Sequence, residues 1–408
     1  MATTKTLLMI AFEFPPGNGA SVPRIESFYR YLKQWGWKVV VLTANPRAYE
    51  RVNPDYQDAE DDLVYRTFAL DAPRHLSIKG KYIAASATPD RWGLTWIPSA
   101  LIKGRQLVKK YQPDVIWSSS PIPSTHFIAN KLSQKHGIPW VADYRDPFHY
   151  MNGSAGPKLD KIHKKIDQNT LTNTEHLTFA TEQVKELYQD KYGNLVTDKS
   201  TVIENGFDEA NFAKLETLTN KSTPFTKDKF SLYYSGVLYP HGRDPRPVFD
   251  AISELSTQGV IGADNFELVF QGAGDGSEFK DYITEKNIES LVSFIEPVPF
   301  LNALNNMMHA DALLLIQDSR FNKQIPGKIY EYLRTQRPML VKADPEGATY
   351  QVAAGFDKVY TGYNTEELQE ALTSLLKLNQ SEEIARDVNR FNREAKAKQL
   401  LDVINSIN

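Results

Sequence analysis

The residues best suited to chemistry stand in short glycine-rich or polar stretches that directly follow apolar runs of strand length. The first stretch, Phe14–Ser21, contains Gly17 and Gly19 and is followed by Arg24. Glycine lets a backbone approach a ligand closely, and a following helix offers unpaired N–H groups to an anion. A tight turn between a strand and a helix accounts for the same glycines, so both interpretations stay open. The stretch is not the dinucleotide fingerprint G-x-G-x-x-G, because Val22 stands where the third glycine is expected.

Two further stretches of this kind lie in the second half of the chain. Arg243 and Arg246 stand in the stretch 236–246, which follows the apolar run Phe230–Ser235. A diphosphate could bind there, although a solvated surface position is the plainer interpretation of either arginine. Gly272 and Gly274 form a glycine turn after another apolar run and are a weak signal by themselves.

The stretch Gln324–Leu333 is the most informative of all. Pro326 and Gly327 predict the start of a helix, which places Lys328 in its first turn and Glu331 three residues later on about the same face. A cation near a helix start can hold a pyrophosphate, and a carboxylate can accept hydrogen bonds from a sugar or a ribose. An ordinary surface Lys–Glu pair has the same spacing, so the stretch alone favours a binding role only slightly.

Composition and motif content disfavour several other chemistries. The chain of 408 residues has no cysteine, and therefore no disulfide, thiolate zinc site or cysteine nucleophile. No two of its eight histidines lie within four residues of each other. Asp-x-Asp, G-x-S-x-G and P-loop motifs are absent as well. These absences disfavour a metal site and a hydrolytic site.

The elements that must position these residues form two α/β halves. Apolar runs such as Thr6–Phe12 and Lys38–Thr43 alternate with helical periodicity, which predicts parallel strands in a Rossmann-like arrangement. A second strand-first series begins at Phe230, after the polar stretch Lys214–Lys229, and a helix from about Glu382 ends the chain. Such sheets bind ligands beyond the carboxyl ends of their strands, which predicts a site in a cleft between the halves.

Charge and tryptophan are unevenly distributed along the chain. Residues 1–200 carry 26 Lys and Arg against 20 Asp and Glu, whereas residues 201–408 carry 21 against 30. All six tryptophans lie in the first 140 residues, and an amphipathic basic stretch follows Trp92 and Trp96. Aromatic rings and basic side chains together suit an anionic lipid surface, while core packing is the alternative for the tryptophans. No apolar run is long enough to cross a bilayer, and the absence of cysteine fits a reducing cytoplasm. The basic residues are Lys103, Arg105, Lys109 and Lys110.

Taken in order, the motifs resemble those of GT-B nucleotide-sugar glycosyltransferases of the retaining family four. The resemblance runs along nearly the whole chain and is carried by FEFPPGNGAS, PDVIWSSSPIPSTH, IPWVADYRDPF, VIENGFD, YYSGVLY, FQGAG, ADALLLI and IPGKIYEYLRTQRPML. It implies an α/β fold of two Rossmann-like domains that face a cleft. Residues 1–220 would bind the acceptor and residues 221–385 the donor, and residues 386–408 would form a helix that crosses back to the first domain.

The resemblance also implies roles for individual residues. Three positions depart from the family pattern: Val237 replaces a frequent arginine, Lys323 a frequent glutamate, and Ser118–Ser120 a segment that often contains histidine. Which residue contacts the transferred sugar therefore stays open among Arg145, Asp146 and His126. The implied donor-binding residues are Gly236, Arg243, Gly272, Gly274, Lys328 and Glu331. The implied acceptor-binding residues are Gly17, Gly19, Arg24, His126 and Asp143, and the implied catalytic residues are Glu331, Arg145 and Asp146.

The implied activity is transfer of a sugar from a nucleoside-diphosphate sugar to a glycan or lipid-linked acceptor in bacterial surface polysaccharide synthesis. The resemblance implies a retaining reaction in which basic residues rather than a metal ion hold the diphosphate, with the nucleotide sugar as co-substrate and no cofactor. The expected location is the cytoplasm, with peripheral contact to the anionic inner membrane and no nucleic-acid partner. Two alternatives stay open: a nucleotide-sugar epimerase of the same architecture, and a catalytically silent glycan-binding scaffold.

Overall fold

A computed structural model of the chain describes residues 4–54, 56–219, 221–238, 242–378 and 382–407. The chain divides into two compact units, the first comprising residues 1–205 and 393–408 and the second residues 206–392. The boundaries predicted from the sequence lie at 220/221 and 385/386, and residues 1–3, 55 and 220 of the predicted first domain lie outside the described residues. The assignment of acceptor and donor binding to the two domains stays a prediction.

The first unit contains a seven-stranded parallel sheet in the order β3-β2-β1-β4-β5-β6-β7. Strands β1 and β2 coincide with two predicted apolar runs, whereas β3 was not predicted. Its residues are mostly half-buried and include Arg66, so β3 lacks the continuous apolar run of a central strand. The strands are β1 (Thr6–Ile10), β2 (Lys38–Ala44), β3 (Leu63–Thr67), β4 (Val115–Ser119), β5 (Trp140–Tyr144), β6 (His176–Phe179) and β7 (Ser200–Val202).

Helices cover both faces of this sheet. The helices before the unit boundary are α1 (Val22–Gln34), α2 (Ala72–His75), α3 (Gly93–Tyr111), α4 (Pro123–His136), α5 (His149–Asn152), α6 (Pro157–Asn173), α7 (Glu182–Tyr192) and α8 (Asn194–Thr197). The C-terminal helix, residues Arg393–Ser406, belongs to the same unit and buries Leu400 and Ile404 against Ile25 and Phe28 of α1. This packing confirms the predicted return of the last helix to the first domain.

The second unit contains a six-stranded parallel sheet in the order β10-β9-β8-β11-β12-β13. Its strands are β8 (Phe230–Ser235), β9 (Phe266–Gln271), β10 (Val292–Ile295), β11 (Ala312–Gln317), β12 (Met339–Ala343) and β13 (Val359–Gly362). Its helices are α9 (Glu209–Lys214), α10 (Arg246–Thr257), α11 (Lys280–Glu285), α12 (Phe300–His309), α13 (Lys328–Arg334), α14 (Ala348–Ala353) and α15 (Thr365–Leu376), so that the C-terminal helix is α16.

The strand order of each sheet reverses beside its first strand. The reversal falls between β1 and β4 in the first unit and between β8 and β11 in the second. Loops that leave the carboxyl ends of two such strands run to opposite sides and open a crevice in which ligands bind. The functional residues of each unit are therefore to be sought at these two strand ends.

The tryptophans lie in the core or against it, and not at an exposed interface. Trp96, Trp117 and Trp140 are fully buried, and the indole N–H of Trp92 donates to the carbonyl oxygen of Ala48 at 3.2 Å. This corrects the predicted lipid contact of Trp92 and Trp96 in favour of the packing alternative. Among the described residues, no helix combines the length and the apolarity that a membrane span requires.

Candidate functional site

The second unit brings Lys328 and Arg243 together where β8 ends. Lys328 begins α13, and its Nζ donates to the carbonyl oxygen of Ser235 at 2.5 Å. The same Nζ lies 4.0 Å from the centre of the Tyr234 ring. Arg243 donates from Nη1 to the carbonyl oxygen of Val237 at 3.1 Å. Both cations therefore contact the turn that follows β8. This turn contains Val237, the position at which the glycosyltransferases that the sequence resembles often have an arginine.

The electrostatics of this turn favour an anionic ligand. Burial lowers the pKa of Lys328 well below its ordinary value, and the nearby charge of Arg243 lowers it further. The negative charge of Glu331, which is half-buried one turn later in α13, raises the pKa of Lys328. Two cations held close together raise each other's energy, and an anion bound between them would remove that repulsion.

Three predicted glycines shape the same edge of the sheet. Gly236 has a φ of +104°, and a Cβ at this position would lie 3.2 Å from Nζ of Lys328. Gly272, with a φ of +71°, follows β9, and its Cβ would lie 4.0 Å from the Cα of Gly236. Gly274 in the same turn has a φ of +93°. Glycine is required here both for the left-handed backbone and for the close approach of Lys328.

Asp318 and Lys342, which the sequence analysis missed, anchor the loop that carries Arg243. Asp318 follows β11, accepts a hydrogen bond from the backbone N–H of Asp244 at 2.8 Å, and donates its own N–H to the carbonyl oxygen of Gly242 at 3.0 Å. The buried ammonium of Lys342 on β12 forms an ion pair with the Asp318 carboxylate. The signal available in the sequence was the position of Asp318 directly after a buried strand.

The remaining parts of the predicted stretch 236–246 differ in role. Residues 239–241 lie outside the described residues. Arg246 is exposed and pairs with Asp244 at 2.7 Å, so the surface interpretation holds for this arginine. Of the two arginines in this stretch, Arg243 is therefore the one that lies near Lys328.

In the first unit, Arg24 and Asp143 are paired with each other in the core. Nε and Nη2 of Arg24 donate to the two carboxylate oxygens at 3.1 and 2.7 Å, and the residues are 5% and 0% exposed. The hydroxyls of Ser119 and Thr178 donate to the same carboxylate at 2.8 and 2.7 Å. Burial by itself raises the pKa of Asp143, but Arg24 and these hydroxyls hold it below its ordinary value. The predicted contact with an acceptor is corrected, because the polar atoms of the pair are occupied and buried.

Gly17 and Gly19 make room for side chains of the protein itself. A Cβ at Gly17 would lie 3.1 Å from the ring of Tyr49 and from the carbonyl oxygen of Phe14. A Cβ at Gly19 would overlap the carboxylate of Glu13. Neither glycine has its φ in the left-handed region. Close packing of side chains therefore accounts for both glycines, and their predicted contact with an acceptor stays a prediction.

Glu13 is a carboxylate at the switch point that the sequence analysis missed. It follows the carboxyl end of β1 and accepts a hydrogen bond from the hydroxyl of Ser21 at 3.4 Å. Burial raises the pKa of Glu13, and the charge of Arg145 lowers it. Its place within the motif FEFPPGNGAS, directly after the first strand, was the signal that could have identified it.

His126 lies wholly inside the first unit. Its Nδ1 lies 2.8 Å from the hydroxyl of Ser118, and its ring packs against Tyr144 and Phe148. Burial lowers the pKa of His126 to about 3, so the ring is neutral. This corrects the predicted contact of His126 with an acceptor, because the residue has no exposed surface.

Arg145 and Asp146 follow β5 and remain partly accessible. Their side chains form an ion pair at 2.9 Å and are 18% and 21% exposed. The hydroxyl of Ser120 donates to the backbone carbonyl of Asp146 at 2.7 Å and ties the end of β4 to this loop. A catalytic role for either residue stays a prediction.

No group of three His, Asp or Glu side chains suited to a metal ion occurs in the part of the chain that the structure describes. Whether the activity needs a metal is a separate question, and the absence of a metal or cofactor from the reaction stays a prediction.

Comparison with known proteins agrees with this architecture. Residues 22–211 match the family model described as Glycosyltransferase Family 4. Sucrose-phosphate synthase from Thermosynechococcus elongatus superposes with a TM-score of 0.63 at 14% identity, over 99% of each chain. The chain has the GT-B fold, and its residues 22–211 are similar to Glycosyltransferase Family 4.

Two further solved structures share this GT-B fold. HepE from Anabaena, in complex with UDP-glucose, gives a TM-score of 0.62 at 14% identity, over 98% of this chain and 99% of HepE. A UDP-N-acetylglucosamine 2-epimerase described as putative, from Listeria monocytogenes, gives 0.57 at 14% identity, over 99% of this chain and 96% of the epimerase. At such identities the likeness establishes the fold alone. No curated protein matches the chain in sequence.

Proposed function

We propose that this GT-B protein transfers a sugar from a nucleoside-diphosphate sugar to a hydroxyl group of a glycan or lipid-linked acceptor. The observation that carries the proposal is the placement of Lys328 and Arg243 on the turn after β8. The half-buried Lys328 lies beside a second cation, Arg243, and the nearby Glu331 offsets part of the repulsion. A diphosphate bound at this turn would meet both positive charges.

The proposed chemistry follows from the charge that develops during transfer. When the nucleoside diphosphate leaves, negative charge grows on its phosphate and positive charge grows on the sugar. Cations already fixed beside the phosphate stabilise this charge without reorganisation and lower the barrier. Lys328 and Arg243 are the residues proposed for this role, and Glu331 is proposed to accept hydrogen bonds from the donor near its ribose. We propose a metal-independent, retaining reaction, as the sequence resemblance implies.

The acceptor is proposed to bind to the first unit near the switch point between β1 and β4. Arg145 and Asp146 are partly accessible there, and Glu13 adds a half-buried carboxylate. Carboxylates and guanidinium groups are suited to hydrogen bonds with sugar hydroxyls or with a phosphate. These residues replace Arg24, Asp143 and His126 as the candidates for acceptor binding.

The donor proposal is tested by nucleotide binding to the full chain. UDP, GDP and TDP are first screened by thermal shift, since a ligand stabilises the native state in proportion to RT ln(1+[L]/Kd). Calorimetry then compares Lys328→Ala and Arg243→Ala with the wild type and with Arg246→Ala as the matched control. Loss of a charge-assisted contact should cost about 1.5–3 kcal/mol, or about ten- to hundred-fold in affinity. Unchanged affinity in both test variants would refute the assignment.

An epimerase is the second candidate, because an epimerase structure shares the fold over nearly the whole chain. Incubation with UDP-N-acetylglucosamine in the absence of any acceptor separates the two reactions. Inversion at C2 of the sugar, followed by NMR, would favour the epimerase. A chain that binds none of the three nucleotides would instead favour the silent glycan-binding scaffold.

The location of the reaction is a further part of the proposal. We propose that the protein acts in the cytoplasm in bacterial surface polysaccharide synthesis, where lipid-linked acceptors lie on an anionic inner membrane. The positive excess of residues 1–200 supports this partner. The tryptophans no longer support it, since they lie in the core or against it.

A further inference from the structure

Exposed apolar side chains are concentrated in one segment of the first unit. Twelve large apolar side chains are exposed among the residues that the structure describes, and seven of them lie between residues 68 and 102. Ile78 is 80% exposed and Ile83 is 77% exposed. Single exposed apolar residues are normal on a protein surface, but a concentration of this kind marks a surface that contacts something apolar.

The two isoleucines lie on a tight hairpin, which we call the basic hairpin and define as Ile78–Ile83. Ile78 and Lys81 exchange both backbone hydrogen bonds, at 2.8 and 3.0 Å. Between them, Lys79 has a φ of 51° and Gly80 a φ of 75°, the two positive values that a type I′ turn requires. All residues from 78 to 85 are exposed. The hairpin thus holds two isoleucines and two lysines at the surface.

The segment that carries the basic hairpin is also strongly positive. Residues 68–112 contain eight Lys and Arg and two Asp. Asp71 is fully buried, and the carboxylate of Asp90 accepts hydrogen bonds from the N–H and the hydroxyl of Ser124 at 2.8 and 2.5 Å. Both acidic groups are therefore engaged inside the unit, and the surface of the segment presents cations.

Helix α3 extends the same combination of properties. The residues that follow the hairpin, 84–87, pack against this helix. Leu94 and Ile102 are exposed on α3, and Arg105 and Lys109 are exposed in its following turns. Intervals of eight, three and four residues place these four side chains on one helical face. The face is apolar in the first half of α3 and basic in the second.

We propose that the basic hairpin and the exposed face of α3 dock on a bilayer with anionic headgroups. Aliphatic side chains bury below the headgroups, while the lysines reach the phosphate level and gain electrostatic attraction to anionic lipid. A surface of exposed aliphatic groups flanked by cations, on a hairpin and a helix that contain no Asp or Glu, is complementary to such a leaflet. The inference deepens the membrane part of the proposed function, yet it requires no sugar donor.

Co-sedimentation of the full chain with vesicles tests the docking surface. The vesicles contain phosphatidylcholine with ~30% phosphatidylglycerol or phosphatidylcholine alone, and no nucleotide is added. We expect binding to the anionic vesicles that weakens at high salt. Lys79→Glu with Lys81→Glu should lower the partition coefficient at least about tenfold, and Ile78→Ser with Ile83→Ser should lower it at both salt concentrations. The matched control is Lys227→Glu with Lys229→Glu, a pair of the same spacing in the second unit in which Lys227 is exposed and Lys229 partly exposed.

The outcomes separate this inference from its alternatives. Wild-type binding that the hairpin variants lose and the control variant keeps supports the docking surface. No sedimentation at low salt, or equal losses in the hairpin and control variants, overturns it. Self-association in light scattering that the isoleucine variant abolishes, without vesicle binding, would assign the surface to a second copy of the chain and also overturns it. The UDP thermal shift of each variant confirms folding and reports separately on the donor site.

Discussion

The buried ion pair between Arg24 and Asp143 is expected to stabilise the first unit and not to bind substrate. Asp143→Ala would remove two hydrogen bonds from Arg24 and one each from Ser119 and Thr178. The Arg24 side chain is 4% exposed. It would keep its hydrogen bonds to the carbonyl oxygen of Glu204 at 3.0 Å and to the side-chain oxygen of Asn205 at 3.4 Å, and both of these acceptors are uncharged. A buried charge would thus lose its counter-ion.

The size of the effect follows from this geometry. Breaking a buried ion pair by removing one partner costs about 3–5 kcal/mol. One kcal/mol shifts the melting temperature by about 2–4 °C in a unit of this size, so a fall of about 6–20 °C is expected. Arg24→Met combined with Asp143→Leu removes both charges and should cost clearly less than the sum of the single changes.

The pH of the measurement determines how much of this stabilisation is observed. The pKa of Asp143 is lowered in the folded unit, so the stabilisation is fully present when the pH is above the ordinary pKa of an aspartate. It is lost only as the pH falls through the lowered pKa. The variants are therefore compared at neutral pH, where the full difference should appear.

Thermal unfolding followed by tryptophan fluorescence is the appropriate assay, because all six tryptophans lie in the first 140 residues and report on the first unit. Lys185→Ala is the control. Lys185 pairs with Glu182, whose side chain is 52% exposed, and such a surface ion pair should contribute less than about 1 kcal/mol. An Asp143→Ala variant that melts within about 3 °C of the wild type would refute the reasoning. Loss of acceptor transfer at unchanged stability would instead restore Asp143 as a binding residue.

Three further predictions concern the donor site. Glu331→Gln should keep the melting temperature within a few degrees and lose most turnover, because Gln is nearly isosteric but uncharged; wild-type kinetics would contradict this. Binding of UDP should take up a proton, because burial and Arg243 lower the pKa of Lys328 in the free protein and a diphosphate would raise it again. Affinity should then fall as the pH rises, and calorimetry in two buffers of different ionisation enthalpy measures the proton; identical heats would disprove the linkage. Gly242→Ala should weaken UDP binding, since Gly242 has a φ of +144° and a Cβ would overlap the ring of Phe321, displacing the Arg243 loop; an unchanged Kd would count against it.

Much of the fold and half of the donor site are readable in the sequence, because they depend on local pattern and chain order. Continuous apolar runs predict buried parallel strands, and parallel strands that follow one another place their carboxyl ends on one edge of the sheet. Gly236 and the Arg243 loop follow β8, and Lys328 follows β11. Their convergence is a consequence of that order, which is why residues far apart in the chain could be assigned to one site.

Burial and pairing were decided by the tertiary structure. Arg24 and Asp143 are 119 residues apart, and nothing in either local stretch shows that they neutralise each other in the core. The space at Gly17 and Gly19 is filled by Tyr49 and Glu13, and His126 is enclosed by aromatic rings. Whether a polar residue meets a ligand or another side chain depends on groups brought together from distant parts of the chain. Only the packed structure fixes which of these groups satisfies a hydrogen bond or a charge, because an unpaired polar group cannot be buried without a large cost in free energy.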